Sequence, residues 1–149
     1  TPPRRLDAVR QLARAGIPVA VMMAPIVPSL NDHEIERVLE AAQEAGAREA
    51  GYVMLRLPLE IKELFREWLS ETFPDRAQRI LGLLRAMHGG QDYVAQFGHR
   101  QRGSGPYADQ IALRFRLARK RLGLATERLE LRRDLFERPF ARGQQFGLF

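Results

Sequence analysis

Two short apolar runs decide the fold: Val19-Ala-Val-Met-Met-Ala-Pro-Ile-Val27 and Gly51-Tyr-Val-Met-Leu-Arg-Leu57. Neither run alternates apolar and polar residues, so each predicts a strand that is buried on both faces. An apolar stripe at helical spacing lies between them, from Ile35 to Ala42. Two strands joined through a helix of this length run in the same direction with a right-handed crossover. The sequence therefore predicts a parallel βαβ unit.

Helical patterns flank both strands. A helix over residues 4–15 is predicted before the first strand, and Asn31 is expected to cap the middle helix. In that cap Asn31 accepts from the backbone N–H of Glu34, while the Glu34 side chain reaches back. Pro58 suits the first turn of the helix after the second strand. The predicted order is helix, strand, helix, strand, helix.

Parallel strands that are apolar on both faces need neighbouring strands and covering helices, yet the sequence contains only two such runs. We therefore predict an α/β fold in which residues 1–74 form the last two βα units of a larger barrel or open sheet. Residues 75–124 are predicted to be a helical extension with a glycine- and aromatic-rich loop at 89–106. Residues 125–149 show no sustained period and predict an extended tail.

The composition excludes several classes of function. The chain has 149 residues, a net charge of +6 and no cysteine, which removes disulfides, thiolate-bound zinc, a cysteine nucleophile and any iron–sulfur cluster held by its own thiolates. No apolar run approaches the ~20 residues that span a bilayer, so we expect no membrane span and a cytoplasmic protein. His33, His88 and His99 share no metal-ligand spacing, and no nucleophile elbow, phosphate loop or dinucleotide fingerprint occurs. No catalytic residue is nominated.

Positive charge is concentrated in the C-terminal half. Between positions 97 and 121 a single acid, Asp109, stands against seven basic residues: Arg100, Arg102, Arg114, Arg116, Arg119, Lys120 and Arg121. Such a cluster attracts phosphate backbones, although 22 of the 24 basic residues are arginine, which also fits a codon bias. This cluster supports an alternative function, a non-enzymatic basic helical module that binds nucleic acid or a protein partner.

Ligands of parallel α/β folds bind at the carboxyl ends of the strands. That rule places Ala24–Asp32 and Arg56–Pro58 at the predicted functional rim. Asn31, Asp32 and Glu34 could instead only cap a helix, and Arg56 could form a buried ion pair. A different barrel enzyme that binds a phosphate at the start of the middle helix is a third possibility.

Three stretches together resemble a known family. They are Ala15-Gly-Ile-Pro-Val-Ala-Val-Met-Met-Ala-Pro-Ile-Val-Pro-Ser-Leu-Asn-Asp-His-Glu-Ile35, Gly51-Tyr-Val-Met-Leu-Arg-Leu-Pro58 and Phe97-Gly-His-Arg-Gln-Arg-Gly-Ser-Gly-Pro-Tyr107. They resemble the fifth strand with its helix, the sixth strand and the C-terminal extension of bacterial radical S-adenosylmethionine (SAM) enzymes of the spore photoproduct lyase-related, DNA repair photolyase-like group.

The resemblance implies a partial (β/α)6 TIM-like barrel with a [4Fe–4S] cluster held by a Cys-x3-Cys-x2-Cys loop. The cluster cleaves SAM reductively, and the resulting 5′-deoxyadenosyl radical abstracts hydrogen from a substrate, with DNA as a candidate. This sequence lacks the cysteine loop, so its partner would be the N-terminal half of the barrel and the chain alone is expected to be inactive. The implied SAM contacts are Pro25, Ile26, Arg56 and Leu57. The implied substrate contacts are Tyr93, His99, Arg100, Arg102 and Tyr107.

The last five residues carry a separate signal. Gln145-Phe-Gly-Leu-Phe149 resembles the Gln-Leu-x-Leu-Phe peptide by which bacterial proteins dock on the replication sliding clamp. The resemblance implies partner contacts by Gln145, Phe146, Leu148 and Phe149, with Phe146 standing where leucine is usual. The alternative is a tail that packs on its own barrel.

Overall fold

The computed structural model describes residues 1–91 and 101–125, together with Asp134 and Phe136. Within these residues the fold is mixed α/β, with five α-helices and a two-stranded sheet. The predicted order of elements is confirmed. The elements are α1 (Pro2–Arg14), β1 (Ala20–Ile26), a 3-10 turn (Asp32–Glu34), α2 (Ile35–Glu44), β2 (Glu49–Met54), α3 (Ile61–Thr72), α4 (Pro74–Met87) and α5 (Pro106–Arg121).

β1 and β2 are parallel, as predicted. Ala20 lies opposite Glu49 and Met23 lies opposite Tyr52. The register then shifts between Met23 and Ile26, where the Ala24–Pro25 peptide bond is cis. The parallel βαβ unit is therefore confirmed, with an irregularity at the carboxyl end of β1.

One face of the sheet is covered by helices. Met23 on β1 and Tyr52 on β2 are buried on this face, and Tyr52 packs against Phe115 of α5 with ring centroids 4.7 Å apart. α2 contributes its buried apolar stripe to the same core. The main core cluster comprises Met23, Ile26, Ile35, Leu39, Ala50, Tyr52, Met54, Met87, Ala108, Ile111, Phe115, Ala118 and Leu124.

The other face of the sheet is open. Ala20, Met22 and Ala24 point to this side and are exposed, with 56% of Met22 accessible. The Met22 sulfur lies directly over Gly51, where an added Cβ would come within 2.6 Å of it. Within the described residues the prediction of burial on both faces is wrong for β1, because helices cover only one side of the sheet.

The two edges of the sheet also differ. On the outer edge of β2, Met54 donates its N–H to the Gln101 carbonyl at 2.9 Å, and Ala125 donates to the Arg48 carbonyl at 2.7 Å. Ala125, at the start of the predicted tail, thus bridges to Glu49. Just before β1, the Val19 carbonyl accepts from the N–H of Arg48, which precedes β2. Because the backbone groups of successive strand residues point to opposite edges, those of residues 20, 22 and 24 point to the outer edge of β1. No strand of the described ranges pairs with that edge.

α3 and α4 build a second core cluster at the carboxyl ends of the strands. Leu69 of α3 and Ile80 of α4 pack there with Val27 and Leu57, which follow β1 and β2. The main cluster likewise unites α5 with the sheet. The helical extension therefore shares both cores with residues 1–74. A larger barrel remains a prediction.

Two local predictions are wrong. The middle helix begins with a 3-10 turn, and Asn31 makes no side-chain cap to it. Pro58 lies in a turn before α3, where its carbonyl accepts from the Ile61 N–H at 3.2 Å, and not in the first helical turn. In both places the group expected at a helix start makes its hydrogen bond within a local turn instead.

Candidate functional site

The loop after β1 is fixed by the side chain of Asn31. Its Oδ1 accepts from the Val27 N–H at 2.7 Å, and its Nδ2 donates to the Pro25 carbonyl at 3.1 Å. Ser29, at the tip of the loop, has a positive φ of 60°. One amide thus satisfies two backbone groups, the carbonyl of Pro25 near the end of β1 and the N–H of Val27 directly after the strand. The Asn31 side chain therefore holds together the two ends of the loop that forms the rim after β1.

Asp32 follows this loop and is buried, with 7% of its surface exposed. Its Oδ2 accepts a 2.5 Å hydrogen bond from the hydroxyl of Tyr107, in the first turn of α5. Burial raises the pKa of Tyr107, and the hydrogen bond to Asp32 raises it further. A charged acceptor beside the hydroxyl disfavours loss of the phenolic proton. Tyr107 is therefore held protonated as the donor of this pair.

Arg114 makes the second link between α5 and the β1–α2 connection. Its Nε and Nη2 donate to the two carboxylate oxygens of Glu36 at 2.9 and 2.7 Å, and Nη2 also donates to the Asp32 carbonyl at 3.1 Å. The hydrogen bonds from Arg114 hold the pKa of Glu36 below its usual value. The forked geometry of guanidinium matches a carboxylate at both nitrogens. α5 is consequently tied to the rim by two polar contacts.

The four predicted SAM contacts occupy different environments. Pro25 is exposed and Arg56 is half-buried, whereas Ile26 and Leu57 are buried in the main and second clusters, respectively. The side chains of Ile26 and Leu57 are therefore committed to packing, and only their backbone atoms are left for a ligand. Pro25 and Arg56 keep side-chain surface at the rim.

The predicted substrate contacts divide in a similar way. Tyr93, His99 and Arg100 lie outside the described residues. Arg102 places its guanidinium carbon 4.3 Å from the centroid of the Tyr52 ring, a cation–π contact on the core. Tyr107 is bonded to Asp32. Both described side chains thus make contacts within their own fold.

Most of the described basic cluster also has partners within the chain. Arg114 binds Glu36, Arg121 lies 2.5 Å from a carboxylate oxygen of Glu40, and Arg119 bonds the Ala125 carbonyl. The acids Glu36 and Glu40 lie on α2, about eighty positions earlier in the chain. A count of the acids near Asp109 in the sequence therefore does not include them. In the described part of the chain no ion pair includes Arg116 or Lys120. The tail residues Gln145, Phe146, Leu148 and Phe149 lie outside the described ranges.

The donor set does not fit an iron–sulfur cluster. The sequence contains no cysteine, and the described residues hold no group of three or more histidine or acidic side chains able to bind a metal ion. His88 is buried at the end of α4, with its Nδ1 placed 2.9 Å from the Leu84 carbonyl and its Nε2 without a partner. A lone histidine does not make a metal site. Any cluster would have to be held by cysteines of another polypeptide segment.

A cleft of about 480 Å³ lies between α1, the outer edge of β1 and α2. Its apolar lining includes Leu6, Val21 and Val38, and Arg5 and Arg37 stand at its rim. Leu6 and Val38 are only half-buried, and α1 has no buried residue at all. The cleft therefore borders the edge of β1 with which no described strand pairs.

Comparison with protein-family models, with curated proteins and with solved structures finds no match for this chain. Among the described residues, no helix has the length and apolar character needed to cross a membrane.

The sequence predicted functional positions for Asp32 and Tyr107 but did not predict that they pair, and it did not single out Glu36. Only the alternation of charge along α2 and α5 could have suggested such pairs.

Proposed function

We propose that residues 1–74 are the last two βα units of a radical SAM partial barrel, and that strands of the barrel's N-terminal half pair along the outer edge of β1. One observation carries this proposal: the edge of β2 is occupied by Gln101 and Ala125, whereas the edge of β1 is not paired by any described residue. A terminal strand closed by its own C-terminal extension has no need of a further neighbour. An open apolar strand does need one.

The two faces of the sheet support the same arrangement. In a (β/α) barrel the helices lie outside and the other face of each strand lines the interior. Here α2 and α5 cover one face, while Met22 and Ala24 leave the opposite face exposed. A face with these side chains fits the inside of a barrel that further strands complete. The resemblance of residues 15–35 and 51–58 to the fifth and sixth strands of that family agrees with the assignment.

In this arrangement the chain contributes to binding and shielding. Pro25 and Arg56 would contact the adenosine end of SAM, and the backbone of Ile26 and Leu57 would form the floor beneath it. SAM and its cluster supply a carbon-centred radical when bound, and that chemistry belongs to the cofactors. The Asn31 amide fixes the β1 loop, and the Tyr107 and Arg114 contacts hold α5 beside it.

Nucleic acid is the proposed substrate class. Its support is the resemblance to a DNA repair photolyase-like group and the net positive charge of the chain. Docking on the sliding clamp through Gln145–Phe149 is proposed on the motif alone. The basic-module alternative has weaker support, because Arg114 and Arg121 are already paired with acids of α2.

The coding sequence upstream of the Thr1 codon tests the proposal. We expect the reading frame to continue and to encode Cys-x3-Cys-x2-Cys about 100 to 150 residues earlier, as the size of half to two-thirds of a barrel requires. The polypeptide that includes this segment should bind iron and release 5′-deoxyadenosine from SAM when reduced without oxygen. Arg56→Ala should weaken SAM binding, and Arg10→Ala on α1 is the matched control. A frame without cysteines, or without apolar strands, would reject the proposal.

A further inference from the structure

We propose that this chain self-associates through α3 of one copy packed against α5 of a second copy. The first observation is an apolar stripe on α3 that the described residues leave largely exposed. Ile61, Leu64 and Trp68 recur one turn apart and are all exposed, with 61% of Leu64 accessible. Leu69, on another side of the helix, is the one α3 residue buried in the second core cluster. A continuous exposed apolar stripe of this kind marks an interaction surface.

Acidic residues flank the α3 stripe along one side. Glu60, Glu67 and Glu71 follow the helix at intervals that keep them beside Leu64 and Trp68. They are exposed, and no ion pair among the described residues includes them. Glu63 differs, because Arg66 and Lys62 lie 3.2 and 3.4 Å from its Oε1. The uncompensated charge beside the stripe is therefore negative.

α5 carries a stripe of the opposite character. Its core side holds Ile111, Phe115 and Ala118, whereas Leu113 and Leu117 lie away from the core, with 55% of Leu117 accessible. Arg116 and Lys120 alternate with these two leucines on the exposed side. Asp109, one turn before Leu113, is an exposed acid on this side of α5. Since Arg114 and Arg121 are used within the chain, Arg116 and Lys120 leave the charge beside this second stripe positive.

Charge selects the pairing between copies. An α3–α3′ contact would bring the carboxylates of Glu67 and Glu71 against their equivalents, and an α5–α5′ contact would do the same for Arg116 and Lys120. Only α3 against α5′ joins two apolar stripes with opposite charges beside them. Because the two surfaces are different, the contact is heterologous. Two copies form a closed dimer if each places its α3 against the α5 of the other. Otherwise the contact repeats from copy to copy and builds larger assemblies.

Analytical ultracentrifugation of the full chain across a concentration series tests the apolar part of the contact. We expect a concentration-dependent rise in mass for the native chain, and loss of that rise in Leu64→Glu and in Leu117→Glu. Leu12→Glu, at an exposed leucine of α1, is the matched control and should associate as the native chain does. A native chain that stays monomeric, or association unchanged in both leucine variants, would overturn the proposal.

A charge exchange tests the pairing itself and remains informative if a leucine variant fails to fold. Glu67→Lys and Lys120→Glu should each weaken association about tenfold, and the double variant should restore it, with the native effect weakening as salt rises. Additive loss in the double variant would contradict the contact. The self-association contact and the proposed barrel contact use different surfaces, so they can be tested separately. Met22→Lys changes the open face of β1, where the barrel strands would lie, and leaves the α3 and α5 stripes unchanged. Association abolished by Met22→Lys and retained in Leu64→Glu would assign self-association to that edge.

Discussion

The hydroxyl of Tyr107 and the carboxylate of Asp32 are joined by a 2.5 Å hydrogen bond across 75 positions of the sequence. This contact fixes the first turn of α5 to the loop that follows β1. Arg114 adds a second contact to the same connection through Glu36 and the Asp32 carbonyl. The rim at the end of β1 is therefore held from outside by a helix of the C-terminal extension.

Tyr107→Phe should destabilise the fold. The substitution keeps the ring and removes the only hydrogen-bond donor that the described residues supply to the buried Asp32 carboxylate, and a hydrogen bond to a charged group contributes about 1.5 to 3 kcal/mol. Urea unfolding followed by far-ultraviolet circular dichroism would measure the change in the free energy of unfolding. Asp32→Asn, which retains an acceptor oxygen, should lose less. Equal stability of the native chain and Tyr107→Phe would show that the bond contributes nothing.

Alkaline pH should weaken the fold through the same residue. Because burial and Asp32 raise the pKa of Tyr107 in the folded state, its contribution is complete below the ordinary tyrosine pKa of about 10. That contribution is lost as the pH rises through the raised value. Phenolate absorbance measured on the native chain and on Tyr107→Phe isolates the titration of this one tyrosine. A midpoint at or below that of a free tyrosine would contradict the expectation.

Acid should weaken the contact between α5 and α2. The hydrogen bonds from Arg114 lower the pKa of Glu36, so the stability they provide is complete above the ordinary glutamate pKa of about 4.3. It is lost as the pH falls through the lowered value. Since about a third of each side chain is exposed, we expect an effect of about 0.5 to 1 kcal/mol. Unfolding free energies of Glu36→Gln and of the native chain should converge in acid; a constant difference would reject this origin.

Asn31→Ala should release the loop after β1. Two hydrogen bonds are lost, to the Val27 N–H and the Pro25 carbonyl, and each contributes about 1 kcal/mol. Asn31→Asp retains the acceptor for Val27 and should therefore recover part of the loss. The free energy of unfolding gives the magnitude, and amide exchange at Val27 locates it. Native-like protection of Val27 in Asn31→Ala would indicate that the loop is held by other contacts.

The sequence predicted the elements well because their signals are local. Gly16 and Gly46 end α1 and α2 with positive φ, and the apolar runs mark both strands. Longer-range features were not predictable in this way. Glu36 and Arg114 lie 78 positions apart, so no local pattern pairs them.

The open face of β1 illustrates a different limit. An apolar strand has the same pattern whether its neighbours lie in the same chain or in another segment, so Met22 was expected to be buried. Asn31 shows a third limit, because its amide can satisfy either a helix start or the loop before it, and the loop wins here. Local chemistry defined the candidates in both cases, and tertiary packing decided between them.

Residue-resolved amide exchange along β1 tests the central claim most directly. If the outer edge of β1 is free to receive another strand, the amide of Met22 should exchange rapidly while those of Val21 and Met23 are protected by β2. In the longer polypeptide that carries the earlier strands, Met22 should become as protected as its neighbours. Equal protection of all three amides in the 149-residue chain, or a Met22 amide that stays fast in the longer polypeptide, would contradict the account.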